Sequence, residues 1–400
     1  MDLLYIINIV FKRGIREGAI EMTYPKIDFL YLSEKDMLAA GVNDAAKCTD
    51  CMEEVLKLLD NGDYRMGGED ANSHGSMITF PAKPEFSNMP KDGPDRRFMA
   101  MPAYLGGQFD IAGVKWYGSN VENKAVGLPR SILMVILNDK QTGAPLAYMS
   151  ANLLSAYRTA AVPGVGVKHL AVKDAKVLGV VGPGVINSIT IETFASMRPS
   201  LETLKIYGRS QTSIDRCIAY VKDKCPQFKE FIVCDTLEAC VRDADILSFA
   251  TSTPTGGQKN YPFVEREWVK PGCLLCGMGA MNVPDEMVTD PATKLVVDYT
   301  GLYETWAEEY PYPTFDTWFL IGSKFTDMVH DNKLDWNKVE NLGAILNGKR
   351  PGRDSDQQII IYSIGGMPVE DVAWGKAVYE TARRKGIGTE LNLWEEPYLF

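Results

Sequence analysis

A glycine-rich turn between an apolar run and a probable helix is the part of this chain best suited to bind phosphate. The run Val177–Val181 leads directly into Gly182 and Gly184. Gly182 permits a tight turn, and Gly184 lets backbone N–H groups approach two phosphates, while the positive end of the helix dipole favours the anion. Val185 and Ile186 open the helix and are counted with this site. The pattern indicates that a dinucleotide pyrophosphate binds here.

The residues after the next apolar run bear on which dinucleotide binds. Chains that bind NAD usually carry Asp or Glu about 20 residues after the glycines, whereas this chain has Gly208, Arg209 and Ser210. A guanidinium and a hydroxyl suit a 2′-phosphate, so the motif favours NADP(H). NAD(H) stays possible if Arg209 is a solvated loop residue. The fingerprint is incomplete, because Asn187 stands where a third small residue is typical.

Six short apolar runs, separated mostly by segments of helical length, must position this turn. They cover residues 177–181, 203–207, 231–234, 245–250, 273–277 and 294–298. Such alternation predicts an α/β fold with a doubly wound parallel sheet, the Rossmann arrangement, covered by helices on both faces.

The rest of the chain predicts a second domain assembled from two separate segments. Residues 1–27 are an N-terminal extension, residues 28–150 and 326–400 form an α+β domain, and residues 151–325 form the dinucleotide-binding domain. The last 70 residues are expected to carry helices with no sheet of their own and to pack on the first segment.

Composition excludes several classes of partner. The net charge of −10 and the dispersed Lys and Arg residues argue against nucleic acid. The apolar residues 1–10 are too few to span a bilayer, and Asp2 replaces the basic region of an export signal. No membrane partner is expected, and the protein is predicted to be cytoplasmic.

Cysteine and histidine placement argues against a metal site. Eight scattered cysteines fit a reducing compartment. Cys48 and Cys51 lie on a probable helix, Cys273 and Cys276 lie on a probable buried strand, and none of the three histidines is near either pair. The ligand clusters that zinc requires are missing, so no metal is predicted.

Four sequence strings in a fixed order resemble the ornithine cyclodeaminase/mu-crystallin family. They are GVKWYGSN at 113–120, SAYRTAAVPG at 155–164, VVGPG at 180–184 and GRDSDQQIIIYSIGGMPVED at 352–371. The resemblance extends over nearly all of the chain from Asp28 onward. It implies a homodimer in which the N-terminal domain, completed by C-terminal segments, supplies dimer contacts and a substrate pocket that faces a Rossmann domain.

The resemblance also implies a cluster of cations that holds the α-carboxylate of a small amino or imino acid. Lys115 matches the family lysine, and Arg158 matches the arginine that touches both substrate and cofactor. Arg65 is the candidate third member. These residues would orient the C–N bond over the nicotinamide ring. The alternative is that Arg65 and Lys115 are ordinary surface charges.

Further matches to the family extend the cofactor site. Ser131 falls where the family has a hydroxyl near the pyrophosphate, Thr251 where the ribose is expected, and Ser363 near the nicotinamide end. Gly277 and Met278, at the end of the fifth apolar run, are included as well. Each hydroxyl residue could equally cap a helix or a turn.

One departure from the family pattern bears on the reaction. Cyclodeaminases carry a catalytic aspartate after the fifth strand, and the matching position here is Ala280. Asp285 and Glu286 follow and could substitute only if they came within hydrogen-bond reach of the reacting proton.

Three hypotheses follow from this departure. The leading one is an NAD(P)(H)-dependent oxidoreductase acting on the C–N bond of an amino or imino acid, as ketimine reductases and amino-acid dehydrogenases do. An ammonia lyase of the cyclodeaminase type with bound NAD and a non-catalytic NADPH-binding protein stay open. The aromatic stretch 299–318 could line a substrate pocket, although packing is the commoner role for aromatic residues.

Overall fold

The computed structural model describes residues 25–93, 95–251 and 255–399, together with two short paired strands, β1 (Ile15–Arg16) and β2 (Ala19–Ile20). The predicted N-terminal extension therefore lies largely outside the described residues. Among the helices that the structure describes, none is long and apolar enough to cross a membrane.

One sheet contains eight strands, and every neighbouring pair in it is parallel. In spatial order they are β12 (Glu230–Val233), β11 (Thr203–Tyr207), β10 (Val177–Val181), β13 (Ile246–Phe249), β14 (Leu274–Gly277), β17 (Ile359–Ser363), β15 (Thr293–Val297) and β16 (Val339–Asn341). The six predicted strands are all present. Their order reverses next to β10, which puts the Gly182 turn at the switch point where such sheets bind ligands.

Two of these eight strands come from a region that was expected to carry no strands of the parallel sheet. β16 and β17 lie after residue 326, and β17 lies between β14 and β15. The physical reason is the composition of β17, in which three consecutive isoleucines are buried, as suits a central parallel strand covered on both faces. Assigning all of 326–400 to the first domain was therefore wrong for these strands.

The second sheet is mixed and draws strands from both ends of the chain. Its order is β18 (Thr389–Trp394), β3 (Ile27–Leu32), β9 (Pro145–Ser150), β8 (Ser131–Asn138), β7 (Ile111–Ser119), β6 (Arg97–Leu105) and β4 (Tyr64–Met66), with β5 (Ser76–Thr79) also paired to β6. Only β3 and β9 run parallel. The predicted α+β domain, built from N-terminal and C-terminal segments, is confirmed by this pairing of β18 with β3.

Helices cover both sheets. Those of the described residues are α1 (Glu34–Ala39), α2 (Ala45–Asn61), α3 (Asn152–Leu170), α4 (Val185–Met197), α5 (Gln211–Lys224), α6 (Leu237–Val241), α7 (Asp285–Thr289), α8 (Thr300–Glu309), α9 (Thr314–Thr317), α10 (Ile321–His330), α11 (Leu342–Leu346) and α12 (Pro368–Lys385). Short 3₁₀ helices span Val121–Val126, Gln258–Asn260, Arg266–Trp268 and Trp336–Lys338. One continuous buried core, from Leu30 to Ala382, joins the two sheets through α3 and α12.

Candidate functional site

A cavity of about 450 Å³ opens at the carboxyl ends of β10, β11 and β13. Its lining includes six of the residues that the sequence assigned to the cofactor: Gly182, Gly184, Gly208, Arg209, Ser210 and Thr251. Lys124 reaches the same cavity from the 3₁₀ helix of the other domain. The volume lies within the ~300–1,000 Å³ typical of cofactor and substrate sites.

The backbone of the glycine turn leaves this cavity open to a ligand. Gly182 has φ +88°, and a Cβ there would lie 2.9 Å from the carbonyl oxygen of Ala250. Gly184 precedes the first turn of α4, and no side chain caps the helix at this point. Val185, the first helical residue, is 72% exposed. The backbone N–H groups of Val185 and Ile186 therefore begin a helix whose positive end faces the cavity.

Asn187 occupies the position of the missing third glycine and ties the turn together. Its Nδ2 donates to the carbonyl oxygens of Val181 at 3.0 Å and Gly182 at 2.9 Å, and its Oδ1 accepts from the Ser248 hydroxyl at 2.7 Å. The side chain is completely buried. A polar crosslink between turn, helix and β13 thus replaces the close backbone approach that glycine would allow.

The end of β11 presents a cation and a hydroxyl to the cavity. Arg209 is exposed, and among the described residues it makes no side-chain hydrogen bond or ion pair. Ser210 caps α5 by accepting from the Ser213 N–H at 3.3 Å. A guanidinium without a protein partner suits an anionic ligand at this edge.

Three other predicted cofactor residues lie at or after the carboxyl ends of parallel strands. Thr251 lies in the cavity lining and donates to the carbonyl oxygen of Ala280 at 3.2 Å. Gly277 ends β14, and the Met278 sulfur lies 3.9 Å from the Thr190 hydroxyl. These positions follow neighbouring parallel strands, as expected of a cofactor site.

Ser131 and Ser363 are not in the cavity lining. Ser131 donates to the Ser119 hydroxyl at 3.0 Å, in the first domain. Ser363 is buried and accepts from the Tyr303 hydroxyl at 3.0 Å and from the Gly322 N–H at 2.9 Å. Both serines lie on strands and bond to residues distant in sequence, so neither acts as the local helix or turn cap that was the alternative to a cofactor role.

The second site is a buried cluster of charges around Lys115 and Arg158. The Lys115 Nζ donates to Asp371 Oδ2 at 2.6 Å. Arg158 Nη1 donates to Glu370 Oε2 at 2.8 Å, and its Nη2 lies 3.0 Å from Asp371 Oδ2. Lys115 comes from the inner face of β7, Arg158 from α3, and the two carboxylates from the first turn of α12. Three elements that are distant in sequence thus assemble one site.

Burial sets the protonation of this cluster. It lowers the pKa of the Lys115 ammonium to about 8, and the nearby Arg158 charge acts in the same direction. Burial raises the pKa of Glu370 to about 7. Burial also opposes ionisation of Asp371, but Arg158 and Lys115 outweigh it and hold the pKa of that carboxyl below its ordinary value. The pKa of Lys115 therefore lies closer to neutral pH than that of an exposed lysine.

Several buried polar atoms around this cluster lack a partner among the described residues. They are Arg158 Nε, Glu370 Oε1, Asp371 Oδ1, His74 Nδ1, Trp306 Nε1 and Trp318 Nε1. An unpaired buried polar atom costs about 1–3 kcal/mol. These unsatisfied donors and acceptors make the region suited to a polar ligand.

Arg65 does not join this cluster, so its assignment as the third cation is wrong. In the register of the sheet, Arg65 of β4 lies opposite Tyr104 of β6, and Tyr104 lies opposite Ala112 of β7. Lys115 lies three residues after Ala112 on β7. Because side chains alternate between the faces of a strand, Arg65 and Lys115 point to opposite faces of the sheet. The Arg65 side chain is on the outer face, where it donates to the carbonyl oxygen of Tyr64.

His74 is a site residue that the sequence interpretation missed. Its ring centre lies 5.7 Å from that of Trp306 and 5.9 Å from that of Trp318. Burial lowers its pKa to about 3, and the charges of Lys115 and Arg158 act in the same direction. The ring is therefore neutral at pH 7 and adjoins the cation cluster. A lone histidine flanked by Ser73 and Gly75 was the available signal.

Asp298 is a second residue that the sequence did not single out. Its Oδ2 accepts from the N–H groups of Gly365 at 2.6 Å and Gly366 at 3.0 Å, and its Oδ1 accepts from the Tyr299 N–H at 3.0 Å. Burial raises the pKa of its carboxyl to about 6. Asp298 thus fixes the loop between β17 and α12, which carries Glu370 and Asp371.

The position of the missing aspartate is buried and apolar. Ala280 is inaccessible to solvent. Asp285 Oδ1 lies 2.9 Å from the Lys324 ammonium, and its Oδ2 lies 3.4 Å from that of Lys333. Glu286 is exposed. In the described part of the chain neither carboxylate contacts the Lys115 cluster, so neither takes over the role of the aspartate.

Comparison with known proteins identifies relatives of the whole chain. The model of the ornithine cyclodeaminase/mu-crystallin family matches residues 42–386. The N-((2S)-2-amino-2-carboxyethyl)-L-glutamate dehydrogenase of Staphylococcus aureus is 28% identical over 370 residues, which is 92% of this chain and 99% of that protein.

Solved structures agree with this fold. An archaeal alanine dehydrogenase dimer with bound NAD is 25% identical with a TM-score of 0.71, covering 92% of this chain and 100% of that one. The Thermococcus litoralis Delta(1)-pyrroline-2-carboxylate reductase in complex with NADH and L-proline is 24% identical with a TM-score of 0.71, covering 90% and 99%.

Proposed function

The chain belongs to the ornithine cyclodeaminase/mu-crystallin family, and from that membership we propose that it is an NAD(P)(H)-dependent oxidoreductase acting on the C–N bond of an amino or imino acid. The observation that carries the proposal is the buried Lys115–Arg158 pair with unpartnered polar atoms around it. The names of its relatives, a glutamate-derivative dehydrogenase, an alanine dehydrogenase and a pyrroline-carboxylate reductase, agree with it.

The donor set of the glycine cavity fits a nicotinamide dinucleotide. The N–H groups at the start of α4 would hold the pyrophosphate, and Arg209 and Ser210 would hold the adenosine ribose with its 2′-phosphate. These two residues support NADP(H) over NAD(H), although the solved relatives carry NAD or NADH. When bound, the cofactor supplies or accepts the hydride.

The chain's own residues would hold the substrate and move one proton. Arg158 and Lys115 would bind the α-carboxylate. In reduction a hydride adds to the carbon of the C=N bond and a proton adds to its nitrogen. Lys115, with its pKa near 8, is the proton donor, and the reverse transfer serves oxidation. Asp371 is a positioning residue, because it holds both cations.

The site supports redox chemistry at the C–N bond over ammonia elimination. The position of the cyclodeaminase aspartate is Ala280, and Asp285 is engaged by Lys324 and Lys333. Net oxidation of the cofactor during turnover separates the two reactions, since the lyase regenerates it. A binding protein without turnover would give neither result.

The proposed protein is a cytoplasmic homodimer formed through the outer face of the mixed sheet. This face is apolar and accessible, and its largest members include Phe98, Trp116, Ile132, Tyr148 and Leu391. An exposed apolar surface of this extent is typical of a protein interface. The eight cysteines are free thiols, as a reducing compartment favours.

The test is a coupled pair of assays with the purified protein. NADPH or NADH is mixed with cyclic imino acids, or with 2-oxo acids and ammonium, and the absorbance of the reduced nicotinamide is followed. The oxidised cofactors are then mixed with amino acids. Consumption of reduced cofactor, with formation of the amino acid in equal amount, is expected. Absence of any absorbance change across both panels overturns the proposal.

A further inference from the structure

A second cation lies on the same face of the mixed sheet as Lys115. Arg97 begins β6 and shares its inward face with Met99 and Met101, and Met101 pairs with Lys115. The Arg97 guanidinium carbon lies 5.6 Å from the centre of the Tyr117 ring, and the Lys115 Nζ lies 5.7 Å from it. Arg97 Nη2 donates to the Tyr117 hydroxyl at 3.3 Å. Tyr117 therefore separates two cation positions by one aromatic ring.

An aromatic wall with free donors adjoins these two positions. Trp306 and Trp318 pack edge to face at 4.8 Å, and the His74 ring touches both. The indole N–H of each tryptophan is buried and has no acceptor among the described residues. Indole nitrogens only donate hydrogen bonds, so a ligand that contacts them must offer acceptor atoms.

The charge of this region favours more than one carboxylate on the ligand. Lys115, Arg158, Arg97 and Arg130 contribute four cations, against the carboxylates of Glu370, Asp371 and Asp95. Burial raises the pKa of Glu370 to about 7, so that carboxylate is only partly ionised at neutral pH. The four cations outnumber the three carboxylates, and the surplus lies at the Arg97 end, where Arg97 and Arg130 share Asp95 as their ion-pair partner.

We propose that the substrate is a dicarboxylic amino or imino acid. This inference rests on the proposed function. The α-carboxylate binds Lys115 and Arg158, and the second carboxylate lies towards Arg97 and Tyr117, with the indole N–H groups as further donors. Arg97 is then a specificity-determining residue, because it contacts only the distal group and does not touch the reacting carbon.

Matched substrates and variants test the second carboxylate directly. The amino acid pairs aspartate and 2-aminobutyrate, glutamate and norvaline, and 2-aminoadipate and norleucine each differ only by a distal carboxylate in place of a methyl group. Their kcat/KM values are measured with NADP and with NAD, and their affinities for the cofactor-loaded protein are measured by calorimetry. At least one dicarboxylic member should exceed its partner tenfold or more in both quantities.

The variant Arg97→Gln should remove this preference by raising KM for the dicarboxylic substrate at least tenfold, while kcat/KM for its monocarboxylic partner changes less than twofold. If Arg97→Gln does not fold, Tyr117→Phe serves as the test instead. This variant keeps the aromatic ring and should lose part of the preference for the dicarboxylic substrate. Arg383→Gln, an exposed substitution of the same kind on α12, is the control.

The outcomes of this test are separable. Equal or better use of monocarboxylic or aromatic amino acids overturns the inference, as does an Arg97→Gln effect that is the same on both members of a pair. Turnover of neither class overturns the proposed function, and the calorimetric comparison then still decides whether the protein binds a second carboxylate selectively.

Discussion

At the scale of single residues, Lys115 is the group on which the proposed chemistry depends. It is 2% exposed, and its ammonium is held by a carboxylate that also contacts Arg158. Such a cation can fix a substrate carboxylate and also give up its proton, because burial has brought its pKa to about 8. An exposed lysine would do only the first of these at pH 7.

Replacing Lys115 with glutamine is expected to lower kcat by about 10²–10⁴-fold, the range for loss of a general acid or base. The affinity for NADPH should change little, since Lys115 is not in the lining of the glycine cavity. Steady-state kinetics and fluorescence titration of the cofactor measure the two quantities. Lys385→Gln, on the last turn of α12, is the control, and an equal loss in both variants would contradict the assignment.

The pH dependence of the reaction follows from the same group. Lys115 is protonated below about pH 8, so kcat/KM for reduction should fall as pH rises through that value. In the oxidative direction, where the neutral amine accepts the proton, the rate should rise through the same range. Lys115→Gln should abolish this dependence of the rate on pH in both directions of the reaction. A reduction rate that is flat from pH 7 to about pH 9.5 would argue for another proton donor.

The contrast between Arg65 and Arg97 marks a limit of sequence reasoning at this scale. Both arginines lie on strands of the mixed sheet, and only the register of the sheet decides which one shares a face with Lys115. A shift of one residue reverses the face of every side chain on a strand. Arg97 follows a long loop, so the sequence did not predict that its side chain would lie beside Tyr117. Lys115 and Arg158 were found because each lies in a sequence string long enough to match a family pattern.

At the scale of elements, the junction of β10 and α4 has the geometry of a dinucleotide-binding turn, but Asn187 occupies the position where a third small residue is typical. Asn187 is expected to stabilise this junction through three hydrogen bonds. Asn187→Ala should lower the free energy of unfolding by about 1–3 kcal/mol, because it leaves the Ser248 hydroxyl and the turn carbonyls unpaired. Urea denaturation measures the change. Asn337→Ala, an exposed substitution, should cost far less, and equal effects would show that the crosslink is unimportant.

The end of β11 should decide which dinucleotide the protein prefers. Arg209→Gln is expected to raise KM for NADPH by about 10–100-fold, which corresponds to the ~1.5–3 kcal/mol of a hydrogen bond to a charged group. KM for NADH should change less than about threefold by the same reasoning, because NADH has no 2′-phosphate. Arg216→Gln, on an exposed turn of α5, is the control. A similar change for both cofactors would remove Arg209 from the specificity site.

The strands of the parallel sheet show what the sequence could and could not predict at this scale. Six strands were recognised, because short apolar runs recur between segments of helical length. β17 has the same character. Its last residue, Ser363, pairs with Val297, which lies 66 residues earlier in the sequence, and only three-dimensional packing inserts β17 between β14 and β15. Periodicity reports the type of an element and contains no information about its place in a sheet.

At the scale of the whole molecule, the outer face of the mixed sheet is expected to join two copies of the chain. Ile132→Glu should convert the dimer into a monomer, because it buries a charge in an apolar interface without a partner. Light scattering coupled to gel filtration measures the mass. Val233→Glu, on the edge strand of the parallel sheet, is a matched control, since both residues are 44% exposed. A wild-type mass equal to that of one chain would contradict the proposed assembly.

The position of β17 between β14 and β15 determines when the parallel sheet can form during synthesis of the chain. Until Ser363 has emerged from the exit tunnel, no strand lies between β14 and β15. The loop at Gly365 and Gly366, and α12 with its two carboxylates, have not yet formed either. The parallel sheet that carries the coenzyme site therefore cannot close before β17 is available. Premature termination anywhere upstream should yield a product that is degraded, with no partly active fragment.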